Sequence, residues 1–169
     1  IVMATKLIAR HAECDDLQQC MVSDQAEFVI VYGRRRVGKT FLIEQFFDGK
    51  YTFKFVGGHR LSKKVQLGNF AKALQKYSKK KLLTLESWSD AFDALADYLE
   101  NVEGDGKKVV FFDEMPWIDN IHSDFVSSLE YFWNSWAASR DDIVFIATGS
   151  STSWMMDKII ENQGGLHNR

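Results

Sequence analysis

The segment that most constrains this chain is EFVIVYGRRRVGKTFLIEQFF, residues 27–47. Residues 27–32 are a short apolar run, mostly β-branched and aromatic, of the kind buried on both faces of a sheet. The run stops at Gly33. From residue 39 the pattern changes to helical spacing, pairing Leu42 with Phe46 and Ile43 with Phe47. Between strand and helix lies Gly33-Arg34-Arg35-Arg36-Val37-Gly38-Lys39-Thr40, which matches G-x-x-x-x-G-K-[ST]. The chemistry follows from the residue types. Gly33 and Gly38 let backbone N–H groups turn inward, with no Cβ in the way. Those groups and the start of the following helix attract phosphate oxygens. Lys39 reaches terminal phosphates, and the Thr40 hydroxyl suits Mg²⁺.

The rest of the chain is consistent with a sheet around that loop. The spacing predicts helices over 10–22, 62–78, 88–100 and 124–138, and from about Ser153. It predicts strands over 51–56, 108–112 and 143–147. Val65, Phe70 and Leu74 mark one helix face, and Phe125, Leu129, Phe132 and Trp136 another. Ser87 and Asp90 form a capping box before Trp88, Phe92, Leu95 and Leu99. Strands alternating with helices imply an α/β fold with a parallel sheet and helices on both faces. At 169 residues, one domain with its own core is expected.

Composition narrows the function classes. Aromatic residues make up 14%, too many for a chain that fails to collapse. The formal net charge of −2 lacks the basic footprint of a dedicated nucleic-acid binder. Lys76-Tyr77-Ser78-Lys79-Lys80-Lys81 reads as a solvated helix end, as do most of Arg34–Arg36 within their loop. Cys14 and Cys20 lack metal-ligand spacing and fit a reducing, cytoplasmic setting. The four histidines match no zinc motif. No apolar run approaches the roughly 20 residues of a membrane span, and no leader peptide is visible.

Two further motifs fall at strand ends. Val109-Val110-Phe111-Phe112-Asp113-Glu114 is an apolar strand closing on two acids. Asp113 would hold Mg²⁺ and Glu114 would act on an attacking water. After the strand IVFIA, expected beside the phosphate loop, come Thr148 and Ser150, polar residues suited to touching a γ-phosphate or that water. Ligands of open parallel sheets bind at such carboxyl ends. At least one further strand separates Thr40 from Asp113, marking the nucleotide hydrolases with an added glutamate. No N-K-x-D for guanine and no L-S-G-G-Q of transporter ATPases occurs.

GRRRVGKTFLI, VVFFDEMPWID, ATGSSTSWM and GGLHNR together resemble the archaeal-type ATPase family, a P-loop branch close to the AAA+ and STAND groups. The resemblance implies a three-layer α/β/α P-loop NTPase core over residues 1–169, ending before a fifth strand, a lid and a winged-helix domain. It implies ATP and Mg²⁺ as ligands, with Gly33 to Thr40 and the adjoining Phe41 at the phosphates and Arg10 near the adenine. Thr40 and Asp113 would serve the metal, and Lys39, Glu114, Thr148 and Ser150 catalysis. Arg169 falls where AAA+ proteins place an arginine finger, although His167 and Asn168 depart from the usual pattern there. The expected function is ATP binding and hydrolysis driving a conformational change in attached or partner domains. A homo-oligomer and DNA contact through C-terminal domains are expected, and no membrane. A non-hydrolysing ATP switch and half of a DExx-type helicase are the rival readings.

Overall fold

A computed structural model describes residues 2–4, 10–33, 38–81, 84–120 and 122–160. In chain order the elements are β1 (Val2–Ala4), α1 (Arg10–Val22), β2 (Glu27–Tyr32), α2 (Lys39–Phe47) and β3 (Phe53–Val56). There follow α3 (Lys63–Ser78), α4 (Trp88–Asn101), β4 (Lys108–Asp113), α5 (Phe125–Ser135), β5 (Ile143–Gly149) and α6 (Thr152–Trp154). The five strands form one sheet of order β1-β2-β5-β4-β3, and every pairing is parallel. The sequence pattern yields four of these strands. Val2–Ala4 is too short to show a period.

Side-chain alternation divides the core between the two faces of the sheet. Phe28, Ile30, Phe53, Phe55, Val110, Phe112 and Phe145 pack under α3, α4 and α5. Val29, Val31, Val109, Phe111, Val144 and Ile146 pack against Leu17, Cys20 and Ile43 of α1 and α2. The first face is the thicker. Phe112 stacks on Phe145 at 5.0 Å and on Phe92 at 5.8 Å between centroids, and Phe28 meets the edge of Trp133 at 5.1 Å. Each such fully buried ring contributes about 1.5–3 kcal/mol. Both cysteines are free, and burial pushes the Cys20 thiol up to about 11, as befits a core residue.

Element ends differ from the sequence reading in informative ways. β4 runs on to Asp113 and β5 to Gly149, so both polar strand tips belong to the sheet. β3 begins at Phe53, although the Thr52 N–H already donates to the Val109 carbonyl at 2.9 Å. α5 ends at Ser135 and continues as a 3-10 turn over Ala137–Ser139. Trp133, not Trp136, is its fully buried tryptophan. On α3, Val65 is 46% exposed and Gln66 takes the inward position. The closing helix is short, Thr152–Trp154, and passes into a π-helical turn over Met155–Ile160. Ser87 caps α4 as expected, its Oγ accepting the Asp90 N–H at 3.0 Å. No helix among the described residues is long and apolar enough to cross a membrane.

Candidate nucleotide site

Strand order brings the three sequence motifs together. β5 lies between β2, which ends at the glycine-rich loop, and β4, which ends at Asp113. In this register Phe112 pairs with Ala147, so Asp113 and Thr148 are the next neighbours across two central strands. Both continue the alternation that faces α1 and α2, the side from which α2 presents Thr40.

The contacts are short. The Thr40 hydroxyl donates to Asp113 Oδ1 at 2.9 Å, and the Thr148 hydroxyl donates to the same oxygen at 2.6 Å. Thr148 Oγ1 in turn accepts the Glu114 N–H at 3.2 Å. Thr148 is 0% exposed and Asp113 6%, so the carboxylate is held in a dry setting by two hydroxyl donors. Lys39 is 5% exposed, and its Nζ donates to the Gly33 carbonyl at 2.9 Å, folding back along the loop. Gly38 stands at φ 85°, in the left-handed region that glycine alone enters without penalty. It opens α2, whose first internal bond runs from Leu42 N–H to Gly38 O at 2.8 Å. The N–H groups of Lys39, Thr40 and Phe41 precede that bond at the positive end of the helix. The Phe41 side chain is 55% exposed.

Glu114 turns away from Asp113. Its backbone is left-handed, φ 52° and ψ 54°, a conformation costing a non-glycine residue about 1–3 kcal/mol. Its Oε2 accepts from the Ser150 hydroxyl at 3.0 Å and the Ser150 N–H at 3.5 Å. The two carboxylates therefore have separate partners: Asp113 the threonine hydroxyls, Glu114 the serine.

The donor set suits a hard cation. Mg²⁺ is commonly held by one or two carboxylates, with substrate phosphates and water completing its shell. One carboxylate beside one threonine hydroxyl fits that pattern. A closed metal cage does not, since no group of three or more His, Cys, Asp or Glu converges among the described residues.

Arg34–Val37 and Arg169 lie outside the described residues. Arg10 opens α1, and its side chain lies outside them too. Lys76, Lys79, Lys80 and Lys81 are exposed at and beyond the end of α3. One buried polar residue near the acids has no place in the motif reading. Gln66, one helical turn before Phe70 and two before Leu74, is a polar residue on an apolar stripe, and that spacing is its signal.

Strand order, loop and paired acids define a P-loop nucleotide-binding domain of α/β architecture. Residues 7–169 match the family described as an ATPase domain predominantly from Archaea, and the chain belongs to that family. It is 23% identical over 162 residues to an uncharacterized protein of Methanocaldococcus jannaschii, covering 96% of this chain and 34% of that protein. It is 42% identical over 43 residues to an uncharacterized ATP-binding protein of the same organism, covering 25% of this chain and 73% of that protein. Among solved structures, a Walker-type ATPase of Pyrococcus abyssi superimposes with a TM-score of 0.61 at 19% identity. That match covers 94% of this chain and 50% of the other. The chain thus spans about a third of the first relative and half of the structural neighbour.

Proposed function

We propose that this domain binds ATP with Mg²⁺ at the loop Gly33–Thr40 and hydrolyses it, the turnover driving a conformational step in attached or partner domains. The observation that carries the reading is the convergence of the Thr40 and Thr148 hydroxyls on one oxygen of Asp113, beside the buried Lys39. Lys39 exchanges its carbonyl partner for terminal phosphate oxygens. The N–H groups at the start of α2 receive the phosphates with the helix dipole behind them. Thr40 and Asp113 are the residues that would hold Mg²⁺, which when bound neutralises charge on the β- and γ-phosphates. Thr148 keeps Asp113 in place. Glu114 takes a proton from the attacking water, and Ser150 orients its carboxylate. Arg10 is assigned to the adenine side.

Calorimetric titration of the intact protein tests the binding half. ATP with Mg²⁺ is expected to bind more tightly than GTP, as the chain carries no guanine-reading N-K-x-D. Lys39→Ala is expected to abolish or greatly weaken binding while circular dichroism stays native. Equal or tighter GTP binding would contradict the nucleotide choice. An unchanged dissociation constant in folded Lys39→Ala would contradict the site.

A further inference from the structure

Gln66 is 0% exposed on α3, one helical turn before Phe70 of the aromatic cluster. A buried amide must find partners for its donors and its acceptor. Gln66 finds them on the backbone of two other segments. Its Oε1 accepts the Gly58 N–H at 3.1 Å. Its Nε2 donates to the Gly58 carbonyl at 2.8 Å and to the Trp117 carbonyl at 2.7 Å. Gly58 lies in the loop leaving β3. Trp117 ends the 3-10 turn Met115–Trp117 that follows the acid pair.

That same loop touches the acids directly. The Gly57 N–H donates to the Asp113 carbonyl at 2.8 Å. A Cβ placed on Gly57 would stand 2.4 Å from the Glu114 carbonyl oxygen, so only glycine allows this approach. The Glu114 carbonyl also accepts the Trp117 N–H at 3.1 Å. Gln66 therefore joins both walls of a frame around the left-handed backbone of Glu114: the β3 loop on one side, the 3-10 turn on the other.

We infer that Gln66 is a positioning residue, fixing the Glu114 backbone so that its carboxylate meets the attacking water. The inference rests on the hydrolytic reading above. A left-handed non-glycine residue persists only where its surroundings over-determine it. Without the three bonds of Gln66, the turn is free to relax and carry the carboxylate away. Misplacement of a reacting group by about 1 Å costs roughly 10²-fold in rate. Lys39 and Thr40 sit on α2, and although the Asp113 carbonyl meets Gly57, its carboxylate is held by the Thr40 and Thr148 hydroxyls, so nucleotide affinity depends little on this frame.

The test uses Gln66→Met in the intact protein, which keeps volume and removes all three bonds. The expected result is a fall in kcat of about ten- to a hundred-fold, with the ATP dissociation constant little changed. Amide exchange at Trp117 and Ile118 should quicken while Leu42 stays protected. Should Gln66→Met fail to melt cooperatively, Gln66→Asn, whose amide is drawn back by one methylene, serves the same comparison. Wild-type kcat and wild-type exchange in a folded variant would overturn the inference. So would equal losses of affinity and kcat, which mark general structural support. If the wild-type protein binds ATP without turning it over, the hydrolytic reading fails. The exchange rates alone then decide whether Gln66 holds the Glu114 turn.

Discussion

Thr148 carries more of the site than its size suggests. It is a donor to Asp113 and an acceptor for the Glu114 N–H, so one hydroxyl links both acids. Its replacement by valine is nearly isosteric but leaves a buried carboxylate one donor short and a backbone N–H without its acceptor. Each such buried polar group left unsatisfied costs about 1–3 kcal/mol. Thr148→Val is therefore expected to lower stability by a few kcal/mol and to slow turnover more than Thr148→Ser, which restores the hydroxyl. Urea melts with parallel rate measurements check this, and a valine variant as stable and active as the serine one would contradict it. At this scale the loop and the acid pair were legible in the sequence, because their chemistry demands particular residue types at fixed spacing. The role of Gln66 was not legible, because a lone polar residue on an apolar stripe discloses its partners only after folding. Its three contacts lie 8 and 51 residues away along the chain.

Among the elements, β2, β4 and β5 were plain in the sequence because strands buried on both faces carry unbroken apolar runs. β1 was not, since Val2–Ala4 has too few residues to show any period. The end of α5 was also hidden: Trp136 continues the helical spacing in sequence yet leaves the helix at φ −130°. There it packs on Phe132 at 5.3 Å and donates to Glu100 at 2.6 Å. The opposite end of the sheet from the nucleotide site is clamped by charge. Asp142 meets Lys108 Nζ at 2.8 Å and the Arg140 guanidinium at 2.8 Å, tying the start of β5 to the start of β4. The Arg140 hydrogen bonds, reinforced by Lys108, pull its carboxyl down from 3.8 to about 2. A depressed carboxyl stabilises the fold above its unfolded value, and that stability is lost as pH falls through the folded one. Asp142→Asn should therefore melt below wild type at neutral pH, by about 1 kcal/mol after solvent screening of a partly exposed cluster. The gap should close between about pH 4 and pH 2. Melting curves across that range check the assignment, and a pH-independent gap would contradict it.

For the whole molecule, the decisive feature is the position of β5 between β2 and β4. It brings Gly33 and Gly38–Thr40, acids at 113–114 and polar residues at 148–150 to one edge of the sheet. The alternation of strands and helices made the parallel α/β layering legible, and right-handed crossovers leave few other ways to wind it. That IVFIA lies beside the strand of the phosphate loop was legible from its polar tip, whereas the place of β1 and β3 at the two sides of the sheet was not, because that pairing depends on long-range burial. On the function proposed above, this edge splits ATP with divided labour between adjacent acids. Single-turnover hydrolysis by the intact protein, comparing wild type with Glu114→Gln and Asp113→Asn at saturating ATP and varied Mg²⁺, tests it most directly. Glu114→Gln should keep wild-type ATP affinity and lose about 10²–10⁴-fold in rate, while Asp113→Asn should weaken affinity and Mg²⁺ dependence together. Hydrolysis by Glu114→Gln at the wild-type rate would rule out this division of labour.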